Sequence, residues 1–150
     1  MKAFRSIVLA AGIVAVAGVH DTSAQIETSV EFTTSFPFTV GDATLPAGSY
    51  TISPADEEDP EVFRLEGAHA SVFFLTESAQ ASQAPSKTEI VFSRYGDRYV
   101  LKNIWVEGSA IGYLAETAVG ERHAVKGGGS STPERVTARK IALRKTTGAR

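Results

Sequence analysis

The chain contains no cysteine in its 150 residues. That absence excludes disulfides, a thiol nucleophile, a thiolate metal cluster and a lipid carried on an N-terminal cysteine. Histidine is nearly as scarce. His20 lies in the N-terminal segment, which leaves His69 and His123 on positions 54 apart. Zinc takes three or four ligands, usually with one close pair, and this spacing offers none. No Gly-x-Ser-x-Gly turn is present to raise a serine nucleophile. Lys126 precedes the triple glycine Gly127–Gly129, the reverse of the order a phosphate-binding loop requires. Long apolar runs are missing too. The longest, Ile7 to Val19, has 13 residues including two glycines, against about 20 for a membrane-spanning helix.

That short run has a different use. Lys2 and Arg5 precede it, His20 to Ser23 make a polar exit, and Thr22 and Ala24 are the small residues ahead of Gln25. This is the pattern of a secretory signal peptide over residues 1–24, and it predicts an exported protein, periplasmic or extracellular. Cleavage after Ala24 leaves 126 of the 150 residues, enough for one domain with its own core. Without disulfides, burial alone must stabilise it.

Charge is unevenly divided. The whole chain holds 15 basic and 17 acidic residues, and loss of Lys2, Arg5 and Asp21 leaves 13 and 16, a net charge of −3. Six basic residues stand against Glu134 in the stretch Glu134 to Arg150, so the body before it carries −8 against a tail of +5. The tail lacks interleaved aromatics, and export argues against nucleic acid as a partner.

The fold class follows from a rhythm of two. Val30, Phe32, Thr34, Phe36, Phe38 and Val40 alternate with Glu31, Thr33, Ser35, Pro37 and Thr39, the pattern of a half-buried strand. Pro37 cannot donate to a ladder, so the run lies at a sheet edge there or breaks in two. Turn signals follow at Gly41 to Thr44 and Pro46 to Gly48, with a short strand around Tyr50 and Ile52. Val62–Leu65 and Ser71–Thr76 read as a hairpin, and Glu77 to Ser86 as a loop or crossing. Thr88 to Val106 folds back at Gly96-Asp97 into a second hairpin of open register, bulky on both faces and therefore central. Ala110 to Glu116 suggests another strand. Thr132-Pro133-Glu134 fits the start of a helix, but the β-branched residues that follow favour a last strand within Arg135 to Leu143. The expectation is all-β: a single antiparallel sandwich or barrel-like domain of about seven to nine short strands. It spans residues 25–126, followed by a Gly/Ser linker over 127–133 and a basic segment over 134–150.

Phe36-Pro37-Phe38-Thr39-Val40-Gly41 with Leu45 to Ile52, and Phe92 to Tyr99 with Ile104-Trp105, resemble two blocks of a family of small exported proteins common in acidobacterial soil bacteria. The resemblance covers most of Val30 to Glu116. It implies a signal peptide and a β-rich domain, and brings no activity with it. The chain departs from that family after Glu116, where the triple glycine intervenes.

Two groups of residues invite a functional reading. Asp56, Glu57, Glu58, Asp59 and Glu61 form an acidic loop. They are consecutive, without the alternation and glycine that let a loop wrap calcium, so a solvated turn is expected, with no cofactor. Tyr95, Tyr99, Trp105 and Tyr113, with Arg94 and Arg98 beside the turn, offer an aromatic face for a glycan or a partner protein. The competing reading is that these aromatics fill the core. With no catalytic constellation, the expected function is a non-enzymatic structural or interaction protein of the cell envelope. The alternative is a small-molecule or carbohydrate-binding module working through the face around Tyr99 and Trp105.

Overall fold

The computed structural model describes residues 28–56, 58–116 and 129–142. The expected signal segment, His123, Glu57 and the tail beyond residue 142 lie outside the described residues. What is described is all-β, without a helix: β1 (Thr28–Thr34), β2 (Phe38–Val40), β3 (Ala43–Leu45), β4 (Gly48–Pro54), β5 (Val62–Gly67), β6 (Ser71–Gln80), β7 (Glu89–Tyr95), β8 (Arg98–Trp105), β9 (Ile111–Ala115) and β10 (Thr132–Ala142).

Pairing runs β8-β7-β10-β1-β4-β5-β6-β9, and β9 returns to β8, so eight antiparallel strands close into a barrel. Closure removes the exposed edges that an open sheet would present. Two strands make the corners. β6 pairs with β5 over Ser71–Leu75 and with β9 over Thr76–Gln80. β10 likewise pairs with β7 over Thr132–Thr137 and with β1 from Ala138 onward. Strands that switch partners midway are how two packed sheets become one closed wall.

The long alternating run divides at Pro37, as the missing donor requires. β1 ends at Thr34, and the chain then crosses the end of the barrel. Phe38 enters the core against Phe32, Tyr50 and Phe92, with ring centroids 5.1–6.1 Å apart. Phe36 stacks on Tyr99 at 3.9 Å, and Val40 and Leu45 are buried beside them. The β2–β3 hairpin thus plugs one end of the barrel, and its strand pairing to the wall is the parallel pair Thr39–Val100.

The central hairpin turns at Gly96-Asp97, with Gly96 at φ 61° supplying the left-handed conformation. A bulge sets its register: Val91 faces Asn103 while Phe92 faces Leu101. The extra residue lets Leu101 and Ile104 both point inward, which strict alternation forbids. Two boundaries move. Ala43 and Thr44, read as turn, pair with β2 as β3, and Glu77 to Gln80, read as loop, pair with β9. The last strand forms as expected, but it sits inside the ring between β7 and β1, so the barrel does not end at residue 126.

Candidate functional site

The two ends of the barrel differ. At the end opposite the plug, the next inward residues after Phe32 and Tyr50 are Val30 and Ile52, and there the interior is unfilled. A cavity of about 310 Å³ opens at this mouth. Its floor is Val30, Ile52, Phe63 and Ile104, all buried core residues. Tyr113, Pro54, Val106 and Ile111 form its walls, with the Tyr113 ring against Phe63 at 4.7 Å. Ile111 is 59% exposed, an apolar side chain left at the rim.

The loop from Glu107 to Ser109 frames one side of the mouth and is tied down. Glu107 N donates to Thr88 Oγ1 at 3.1 Å and Gly108 N to Pro85 O at 3.0 Å. Ser109 Oγ donates to Ile111 O and accepts from Ile111 N, so its hydroxyl is committed within the loop. On the other side stands Lys140. It faces Val30 across the β1–β10 ladder, and cross-strand partners project to the same face. It is exposed and lines the mouth from the inner-face side of β10. Lys140 makes no ion pair with another described residue.

The sequence-predicted aromatic face is not one face. Tyr99 is held between Phe36 and Arg94, whose guanidinium carbon lies 5.5 Å from the ring centroid. Arg94 Nε also donates to Gly96 O at 2.9 Å, closing the turn. Tyr95 is half-buried and Arg98 exposed at the same hairpin end. Trp105 alternates with inward Ile104 and faces outward, where its ring covers Gly112. Tyr113 alone of the four aromatics lines the cavity. The sequence assignment of Tyr99 and Trp105 to one binding surface is therefore corrected. Tyr99 belongs to the plugged end of the barrel, and Trp105 to its outer wall.

In the acidic loop, Asp56 Oδ1 accepts from Glu58 N at 3.1 Å and Asp59 Oδ1 from Glu61 N at 3.3 Å, so these carboxylates shape their own turns. Among the described residues no three His, Asp or Glu side chains are grouped to hold a metal ion. His69 is exposed at the β5–β6 turn.

Sequence reasoning missed Lys140, Val106 and Ile111. Lys140 was grouped with the basic tail, although it shares its alternate positions with Val136 and Ala138, which was the available signal. It also missed Glu89, a buried carboxylate on the outer wall. Glu89 Oε1 pairs with Arg135 at 3.3 Å, while Oε2 has no partner. Comparison of the chain with known protein families, curated proteins and solved structures finds no match in any of the three.

Proposed function

We propose that this is an exported, non-enzymatic barrel that holds one small apolar molecule in its open mouth. The observation that carries the reading is the asymmetry of the barrel. One end is plugged by Phe36 and Phe38, whereas the other keeps a cavity of about 310 Å³ over an apolar floor. Eight-stranded barrels have an interior just wide enough to fill with side chains or to hold one small ligand. Ligand sites are concave, mostly apolar and largely preformed. The anchored Glu107–Ser109 loop makes the mouth preformed, and Val30, Ile52, Phe63 and Ile104 supply its apolar floor.

The test is saturation binding of a neutral environment-sensitive fluorophore, N-phenyl-1-naphthylamine, to the purified protein. One site with blue-shifted emission is expected, and it should be lost in Val106→Trp, which fills the mouth from its wall. Absence of saturable binding to the folded wild type would sink the proposal. Export is tested separately by N-terminal sequencing of the protein recovered outside the cytoplasm, which should begin at Gln25.

A second reading, contact with an envelope protein, is favoured by one observation. Phe73 and Leu75 on the outer face of β6 are 63% and 46% exposed. Paired apolar side chains standing in solvent on one wall suit a partner surface. Replacing both by serine should release the protein from envelope fractions without changing fluorophore binding.

A further inference from the structure

We infer that the molecule held at the mouth is a monoanionic amphiphile, a carboxylate on an apolar body, with its head on Lys140. This rests on the small-molecule reading above and narrows it to one ligand class.

Three observations point there. The cavity floor is wholly apolar, so the buried part of the ligand must be apolar as well: an unpaired polar group placed there costs about 1–3 kcal/mol. The volume of about 310 Å³ lies at the small end of ligand pockets and suits one small molecule. Lys140 then supplies the only inward-facing cation at the rim among the described residues. Its register partner is the buried Val30, not an acid. Chain and charge lie in the right order for an amphiphile, with tail down and head up.

The geometry also selects the head. An ammonium is a compact point charge, and one such charge balances one negative charge on the head. Glu107 stands on the same rim and disfavours any second negative charge. Tyr113, whose hydroxyl bonds no other described residue, provides a further donor in the wall.

Isothermal titration with octanoate and 1-octanol tests this, since the two share a chain and differ in the head. Octanoate is expected to bind about five- to tenfold more tightly in low salt, the range of an exposed charge-assisted contact. The advantage should shrink at 0.5 M sodium chloride, disappear in Lys140→Gln and persist in Lys140→Arg, with 1-octanol unchanged throughout. Octyl phosphate should bind no better than octanoate, and Glu107→Gln should bring it closer. Equal binding of octanoate and 1-octanol, or an octanoate preference that survives Lys140→Gln, overturns the assignment of the head while leaving the cavity reading intact. Failure of both ligands to bind, or binding unaffected by Val106→Trp, overturns the cavity reading instead.

Discussion

Two glycines show how closely the wall is packed at the scale of single residues. A Cβ on Gly67 would meet Tyr50 Cε1 at 2.5 Å, and one on Gly112 would meet Trp105 Cε3 at 2.4 Å and Ile104 O at 2.7 Å. In each case an aromatic ring lies over the bare backbone, an arrangement that only glycine permits. Gly67→Ala and Gly112→Ala should each lose about 1–3 kcal/mol in urea denaturation, with Gly112→Ala the worse because a carbonyl oxygen cannot swing aside. Tyr50 carries a second prediction. Burial raises its pKa above the ordinary 10.0, and its hydroxyl donates to Pro46 O. A raised folded-state value means that the phenol's contribution is whole below about pH 10 and is lost as pH climbs through the folded value. Tyr50→Phe should cost about 1 kcal/mol at neutral pH and flatten the fall in melting temperature above about pH 10, read by circular dichroism at stepped pH. Neither glycine was legible in the sequence, because what makes each irreplaceable is a ring brought from another strand.

At the scale of elements, the β2–β3 plug decides which end of the barrel is open. Phe38 touches three aromatic rings from three different strands. Phe38→Ala should destabilise the fold by about 3–5 kcal/mol, the usual cost of deleting a buried aromatic. Ligand binding at the far mouth should survive if assayed below the new melting point. Strand identity was readable wherever alternation and turn residues agreed, as at β1, β4, the β5–β6 hairpin, Gly96-Asp97 and β9. It failed at β3 and at the second half of β6. Three residues are too few to show a period, and Glu77 to Gln80 look like a loop by composition because polar side chains stand on both faces, Glu77 outward and Ser78 and Gln80 on the side of Tyr113 and Ile111. The bulge at Val91/Phe92 was equally hidden, since register belongs to the pairing of two strands and to neither one alone.

For the whole molecule, closure depends on the last strand. β10 lies between β7 and β1 and supplies the inner-wall residues Val136, Ala138 and Lys140. Without it the ring opens into a sheet with two long unprotected edges. A chain ending at Ser131 should therefore lose its cooperative thermal transition and associate through β1 and β7, measured by calorimetry and sedimentation. A truncated protein that melted like the full chain would show that closure contributes nothing. Because Glu31 and Arg139 pair across the β1–β10 seam on the exposed outer wall, Arg139→Ala should cost less than about 1 kcal/mol.

Sequence alone determined the class of this protein. The rhythm of two, the spaced turns, the absent cysteines and the leader-like start need only neighbouring residues to be read, because period and turn chemistry are local properties. Tertiary structure decided the rest: that the strands close, that Phe36 and Phe38 stop one end, and that Tyr99 and Trp105 point away from each other. It also carried Lys140 out of an apparent basic tail to the rim of a cavity with an apolar floor. That placement arises from pairing between residues 30 and 140, a contact across 110 positions that no local pattern encodes.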